Sequence, residues 1–283
     1  MKKQDITFQD KYDEMLLEIA HPNNSEMVFV FVEGDTDVRI FRKLFSSKKC
    51  KVESIPGGNP KVEECTEKIS EKIDLVFGIR DADFIHLGGE EYSRHNVFLS
   101  DFHDVEVTFI LEDEIFSSIL LEHSNLPVES HPTTRQFIVN AISDVSYLKW
   151  LNSKEDLEFC FSPITEFIPF NESPFNVKEY FLERVLNKSS NPKIRDFDVV
   201  ASKIENLKSL NPHPFYLCNG HDFIIALALF LRTKHAAKNV TENSLASAFR
   251  IAFTFEHWKR TKLYQQIEDW SRINSCSLYE TAQ

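Results

Sequence analysis

Short runs of apolar residues, each ended by an acid or a turn, recur along the first hundred positions of the chain. Met27 to Val32 runs directly into Glu33-Gly34. Leu75 to Ile79 runs in the same way into Arg80-Asp81. Continuous apolar runs this short are typical of strands that are buried on both faces of a parallel sheet.

The segments between these runs have helical spacing. Apolar residues after the first run predict an amphipathic helix, with Asp35 or Thr36 as its cap. They are Val38, Ile40, Phe41, Leu44 and Phe45. Lys51 to Ile55 alternates like a second strand, and Val62 to Ile73 returns to helical spacing. The alternation of strand and helix predicts parallel strands joined by right-handed crossovers.

The pattern changes after residue 123. Before it, Asn96 to Ser100 predicts a fourth strand, and Val107 to Leu121 predicts an apolar helix. Ser124 to Thr134 contains two prolines and predicts an exposed loop, after which helical spacing dominates. We therefore expect an α/β domain over residues 1–123, with a parallel sheet flanked by helices, and a mainly helical domain over residues 135–283.

Carboxylates follow two of the predicted strands. Glu33 ends the first, and Asp81 and Asp83 follow the third at a spacing of two, which points both side chains the same way. Ligand sites of open α/β sheets lie outside the carboxyl ends of the strands. Such a cluster suits Mg²⁺, with Mn²⁺ as an alternative, because hard cations take oxygen ligands. In the simpler interpretation, Glu33 only neutralises the start of the next helix.

Further polar residues lie where the fourth predicted strand gives way to a helix. His103 is a candidate general base, because imidazoles titrate near neutral pH, and Asp104 and Glu106 are candidate metal ligands. The structural alternatives are that Asp104 caps the helix and that Glu106 lies in its first turn. His221 and Asp222 open a segment that is apolar on every side, where a cap and a buried core histidine are the alternative.

Charge is unevenly distributed along the 283 residues. The chain has a net charge of −12, and residues 1–150, with 16 Lys and Arg against 28 Asp and Glu, carry all of it. An acidic protein is not an obvious nucleic-acid binder, because contact with phosphates is the dominant electrostatic term. Bound metal ions and the neutral second half would have to offset this repulsion.

Several function classes are not supported by the sequence. The first residues include no apolar leader, and no apolar run is long enough for a membrane span, so we expect a cytoplasmic protein with no membrane partner. The Gly57-Gly58 turn lacks the Gly-Lys-Ser/Thr end of a P-loop, which argues against nucleotide hydrolysis by this chain. The five cysteines have neither disulfide nor zinc spacing.

The ordered motifs resemble the metal site of TOPRIM proteins. A strand followed by Glu-Gly and a strand followed by Asp-x-Asp resemble the site shared by topoisomerases, primases and overcoming-lysogenization-defect nucleases. VEGDTDVRIF, the PGGN turn, IRDADF, DFHDVE and NGHD are more narrowly similar to the TOPRIM effectors of PARIS anti-phage systems, the AriB proteins. The likeness covers roughly residues 25 to 235.

The resemblance implies a Mg²⁺-dependent nuclease that acts as a toxic effector. Glu33, Asp81 and Asp83 would hold the metal, with Glu106 at a second ion, and Asp37, His221 and Asp222 would support them. Effectors of this family are held by an ABC-type ATPase partner, and after release they dimerise and cut tRNA. Two alternatives stay open, namely a non-catalytic adaptor that binds the ATPase and a nuclease that nicks DNA.

The neutral half contains one dense basic and aromatic segment. Lys259, Arg260 and Lys262 lie beside Trp258 and Tyr264. Cations next to rings suit an unstacked base and its phosphate, so these three residues are the predicted nucleic-acid surface. The alternatives are a solvated helix face and a weaker basic group, Arg232, Lys234 and Lys238.

Overall fold

The structure is a computed structural model, and it describes residues 6–89, 91–161, 164, 170, 175–235, 237 and 239–280. Its strands are β1 (Val28–Val32), β2 (Cys50–Ser54), β3 (Val76–Arg80) and β4 (Val97–Leu99). Its α-helices are α1 (Phe8–Ala20), α2 (Asp35–Leu44), α3 (Asn59–Ser70), α4 (Val105–Leu111), α5 (Asp113–His123), α6 (His131–Glu155), α7 (Val177–Tyr180), α8 (Leu186–Lys188), α9 (Phe197–Ser209), α10 (Pro214–Leu217), α11 (Gly220–Lys234), α12 (Glu242–Ala252), α13 (Phe255–Trp258) and α14 (Lys262–Ile273). A π-helical turn, Phe181–Val185, joins α7 to α8.

Within the described residues the strands form one four-stranded parallel sheet in the order β2-β1-β3-β4. Val28 pairs with Cys50, Phe29 with Val76, and Gly78 with Val97. This confirms the predicted α/β class with a parallel sheet. The chain passes from β1 to β2 on one side and then returns past β1 to β3 on the other. The direction of winding therefore reverses between β1 and β3.

Both faces of the sheet are covered. On one face, Phe29 and Phe31 pack against Met15 of α1 and Val62 of α3 in a fully buried cluster. The ring of Phe77 faces the other way and meets Trp270 of α14, with ring centroids 4.8 Å apart. Burying one large apolar side chain stabilises a fold by about 1.5–3 kcal/mol. These rings therefore stabilise the sheet from both of its faces.

Gly78, at the centre of β3, is held by close packing. A Cβ placed on it would lie 2.5 Å from Oγ1 of Thr66 and 3.1 Å from Cγ1 of Val62. We expect Gly78→Ala to lower the free energy of unfolding by about 2 kcal/mol, because a filled core resists added volume. Denaturant unfolding measures this change. Adding Thr66→Ala should recover most of the loss, and a double variant as unstable as Gly78→Ala would contradict the assigned contact.

The described residues divide into two compact units. The first takes those within Met1–Ala82, Glu90–Asp101 and Thr254–Gln283, and it contains the sheet. The second takes those within Asp83–Gly89 and Phe102–Phe253, and it is helical apart from its connecting segments. The first unit thus uses residues from both sides of the second. The predicted boundary at residues 123–135 assumes that the chain divides once, and it does not coincide with these ranges.

Three local predictions differ from the structure. The predicted exposed loop from Ser124 to Thr134 is wrong at its end, because α6 begins at His131, and His131 and Thr134 are buried. The predicted helix from Val107 to Leu121 is wrong as one element, because Glu112 is extended, with φ −69° and ψ 108°, and separates α4 from α5. The predicted cap of α2 is also wrong, because Gly34 holds the cap position and α2 begins at Asp35. By contrast, α11 confirms the predicted buried apolar helix. Among the described residues, no helix is long and apolar enough to cross a membrane.

Candidate metal centre

In the first unit, Glu33 and Asp81 directly follow neighbouring parallel strands. Glu33 comes after the last residue of β1, and Asp81 comes after the last residue of β3. Because parallel strands end at one edge of the sheet, both acids leave the sheet at its carboxyl edge. That edge, at the point where the winding reverses, is where open α/β sheets bind their ligands.

The Gly57-Gly58-Asn59 turn contacts both acids, Glu33 on one side and the backbone of Asp81 on the other. A Cβ on Gly58 would lie 3.8 Å from Oε1 of Glu33, which places this carboxylate against the turn. Gly58 has φ 81° and lies at the cap of α3, a backbone conformation that favours glycine. On the other side of the turn, the Asn59 side chain accepts a hydrogen bond from the amide of Asp81 at 3.3 Å. The predicted turn at Gly57-Gly58 is present, and the sequence pattern gave no signal for the contact of Asn59.

A polar network fixes the backbone at Asp81. Nε of Arg80 donates to the carbonyl of Asp81 at 2.9 Å, and the guanidinium also pairs with Glu63. The hydroxyl of Tyr92 donates to the same Glu63 carboxylate at 2.7 Å. Burial alone would raise the pKa of Glu63, but the bonds from Tyr92 and Arg80 outweigh it and lower that pKa. Glu63 therefore stays ionised and holds Arg80 in place.

Asp37 has a structural role at the start of α2. Its carboxylate accepts a hydrogen bond from the amide of Gly34 at 2.9 Å, one residue beyond Glu33. An acid in the first turn also interacts favourably with the helix dipole. Asp37 thus orders the chain next to Glu33, and the supporting role at a metal that was predicted for it stays a prediction.

The remaining residues that were predicted for the metal centre belong to the second unit. Asp83 has φ 48°, in the left-handed region that Asp tolerates better than most residues, and its amide donates to the carbonyl of His103 at 2.7 Å. His103 is 3% exposed, and within the described residues neither of its ring nitrogens has a hydrogen-bond partner. Its Nδ1 lies 3.4 Å from Oδ2 of Asp104, and the ring packs edge-on against Phe84.

Asp104 joins the starts of two helices. Its Oδ1 accepts from the amide of Val107 as the cap of α4, and its Oδ2 accepts from the amide of Gly220 at 2.7 Å. A Cβ on Gly220 would lie 2.5 Å from both Asp104 Oδ1 and Glu106 Cβ. The capping alternative for Asp104 is therefore confirmed. The metal roles of Asp104 and Glu106 stay predictions.

A buried ion pair lies at the start of α11. Nζ of Lys149, on α6, lies 2.5 Å from Oδ2 of Asp222, whose side chain is almost fully buried. Burial, with Asp104 and Asp222 nearby, raises the pKa of the Cys218 thiol, so this cysteine is not a ready nucleophile. His221 is exposed, so the alternative of a buried core histidine is wrong. Sequence patterns gave no signal for Lys149, since it lies 73 positions from its partner.

The structure alters the predicted nucleic-acid surface. Lys259, Arg260 and Lys262 are exposed, and Lys259 pairs with Glu256 at 2.7 Å. Trp258, in contrast, is buried, with its ring against Phe41 and Phe45. The expectation that Trp258 offers a ring to a base is wrong, because its apolar ring completes the core of the first unit. The roles of the three basic residues stay predictions, and Lys238 of the alternative group lies outside the described residues.

The site residues are thus divided between two units. Among the residues that the structure describes, no three His, Cys, Asp or Glu side chains lie close enough together to hold a metal ion. Glu33 and Asp81 offer oxygen ligands alone, the donor type that Mg²⁺ and Mn²⁺ prefer. No protein-family model matches the chain, and no curated protein matches it.

Proposed function

We propose that the chain is a Mg²⁺-dependent TOPRIM nuclease that hydrolyses phosphodiester bonds in nucleic acid. The observation that carries this proposal is the position of Glu33 and Asp81 after adjacent strands, at the reversal point of a parallel sheet. Two acids delivered there by buried, closely packed strands are placed for chemistry, since neither is needed in the core.

The donor set suits a hard cation. Glu33 and Asp81 would bind the metal, and Asp83, which follows two positions later, is the next ligand in the chain. A bound Mg²⁺ would activate water and stabilise negative charge on the phosphate. Asn59 and Arg80 hold the backbone of Asp81 from its amide and its carbonyl, and this rigidity is what a ligand set requires.

The family resemblance supports a narrower proposal for the biological role. The chain would be a toxic effector of anti-phage defence that cuts tRNA as a homodimer after release from an ABC-type ATPase. The net charge of −12 supports such regulation, because a strongly acidic monomer attracts nucleic acid poorly. DNA nicking by the same metal site is the alternative substrate choice.

A second candidate function is a non-catalytic TOPRIM-fold adaptor that binds the ATPase. One observation favours it, namely that no preassembled group of three ligands occurs among the described residues. Metal binding separates the two candidates, because an adaptor has no need to keep a cation site.

The test is calorimetric titration of the purified chain with Mn²⁺ and Mg²⁺. We expect saturable binding in the wild type and a loss of at least about tenfold in affinity in Glu33→Ala, because a metal ligand is removed. Glu26→Ala is the matched control, since this exposed acid lies before the amino end of the same strand. Equal binding by both variants, or no binding by the wild type, would favour the adaptor.

A further inference from the structure

A groove of about 480 Å³ adjoins Glu33 on the side of β2. Its lining residues include Lys11, Glu33, Val38, Arg42, Glu53 and Ser54. Since Glu33 follows β1 and Ser54 is the last residue of β2, the groove lies at the carboxyl ends of these two strands. The volume is within the range of about 300–1,000 Å³ that is usual for ligand pockets.

The polar groups of the groove are arranged around Glu53. Nζ of Lys11 donates to Oε2 of Glu53 at 2.8 Å, and the guanidinium of Arg42 lies 3.7 Å from Oε1. Burial alone would lower the pKa of Lys11, but Glu53 and Glu14 raise it overall, so Lys11 remains a cation. A carboxylate has about four acceptor positions, so these contacts leave room for a hydroxyl donor.

Arg42 gives the groove a cation at its exposed side. Its side chain is 60% exposed, whereas those of Lys11 and Glu53 are 11% and 15% exposed. One N–H group of Arg42 donates to the carbonyl of Val52 at 3.1 Å, which fixes the direction of the guanidinium. A guanidinium carries five N–H donors and matches the geometry of a phosphate, so Arg42 is suited to an anion that enters from solvent.

We propose that this groove binds one ribonucleotide of the substrate, next to the position where Glu33 acts. Glu53 accepts a hydrogen bond from a ribose hydroxyl, Arg42 contacts the phosphate, and the base lies against the apolar wall that includes Val38. An acid near the end of the strand beside β1 is the group that accepts ribose hydroxyls in other nucleotide-binding α/β sheets. This assignment of a ribonucleotide subsite rests on the proposed nuclease function.

Discrimination against DNA follows from the burial of Glu53. A deoxyribose has no 2′-hydroxyl. Binding it would remove water from the mostly buried carboxylate of Glu53 without supplying a hydrogen-bond donor in its place. Sites built to bond a hydroxyl reject analogues that lack it strongly, because their polar groups are left without a partner. A hydrogen bond to a charged group corresponds to about a tenfold or larger difference in affinity.

The test uses the full chain in EDTA, so that bound metal does not contribute. The probes are the four ribonucleoside 5′-monophosphates and their 2′-deoxy counterparts, followed by calorimetry or ligand-detected NMR. At least one ribonucleotide should bind at least about tenfold more tightly than its deoxy counterpart. Equal affinities for the two sugars, or no binding at millimolar concentration, overturn the proposal.

Variants locate the binding to the groove. Arg42→Ala should weaken ribonucleotide binding about tenfold, whereas Arg39→Ala, an exposed arginine of the same helix outside the groove, should leave it unchanged. Val38→Trp should fill the groove and prevent binding, and Ser54→Val provides a smaller obstruction if the larger ring unfolds the chain. Equal affinities in Arg42→Ala and Arg39→Ala overturn the assignment.

Metal titration of the same variants separates the two proposals. Arg42→Ala should bind Mn²⁺ like the wild type, because Arg42 is not a proposed ligand. Ribonucleotide binding that fails while Mn²⁺ binding persists overturns the groove alone. Mn²⁺ binding that fails while ribonucleotide binding persists overturns the metal centre and leaves the groove as a nucleotide site.

Discussion

Alanine at Glu33, or at Asp81 and Asp83 together, is expected to lower metal-dependent cleavage at least about 100-fold, the scale on which losing metal ligands acts. The expected result in cells is loss of toxicity and of phage protection. The physical reason is position, since the two strand ends deliver Glu33 and Asp81 to the edge of the sheet rather than to its core. Growth and the integrity of tRNA and plasmid DNA in expressing cells measure the effect.

Exposed acids before the same strands provide matched controls. Glu26 lies before β1 and Asp74 before β3, so Glu26→Ala and Asp74→Ala remove equal charge at the other end of each strand. Both should keep full activity. Full activity of the Asp81→Ala, Asp83→Ala double variant, with wild-type melting behaviour, would remove the metal-centre assignment.

Gly220→Ala is expected to lower the melting temperature by about 5–10 °C, since overpacking of a filled site costs about 1–3 kcal/mol and sometimes more. The new methyl group would lie 2.5 Å from Asp104 Oδ1 and from Glu106 Cβ, and 3.1 Å from the amide of Val107. Neither a backbone amide nor a helical Cβ can move away alone. The starts of α4 and α11 would have to separate and break the Gly220 to Asp104 bond.

Gly88→Ala is the control for this change in the same unit. Gly88 is exposed, and a Cβ there would have a single close neighbour, the carbonyl oxygen of Ile85 at 3.3 Å. Calorimetry should find a shift of less than about 2 °C for this variant. Equal melting of Gly220→Ala and Gly88→Ala would mean that the two helix starts do not meet as described.

The central strands β1 and β3 were predictable because they are buried on both faces. A strand such as β1, with five buried residues in succession, leaves an uninterrupted apolar run in the sequence. The same property hides the order of the strands, because a strand that is apolar on both faces does not indicate which strands lie beside it. The strand order, and with it the reversal between β1 and β3, became visible only in the structure.

The acids at the strand ends were predictable, and the residues that hold them were not. Glu33 and Asp81 follow strong apolar runs, so their position can be read from the chain alone. Asn59 reaches Asp81 and Glu63 reaches Arg80 from elsewhere in the fold, and Tyr92 in turn holds Glu63. Spacing rules connect neighbours on one element, and these contacts join residues from 17 to 29 positions apart.

The prediction for Trp258 failed because local sequence composition was taken as evidence of an exposed ring. A tryptophan next to three basic residues is typical of a surface that binds nucleic acid, yet the ring packs on Phe41 and Phe45. Local composition cannot distinguish a ring that faces solvent from one that completes a core. For Lys11, Arg42 and Glu53 likewise, three separate elements had to pack before a groove existed.

The interrupted chain course of the first unit restricts the order in which the protein can fold during synthesis. The carboxylate of Asp101 accepts hydrogen bonds from the amides of Lys262 and Leu263, and Trp270 packs on Phe77. The first unit is therefore completed by residues that are translated after the whole second unit. Domains usually fold in order from the amino terminus as the ribosome adds residues. The first unit cannot fold completely before the second, because its last residues are translated after the second unit. The nascent chain must carry a sheet with one face incompletely covered until residues 254–280 are made, so the proposed nuclease would have no complete first unit before that point.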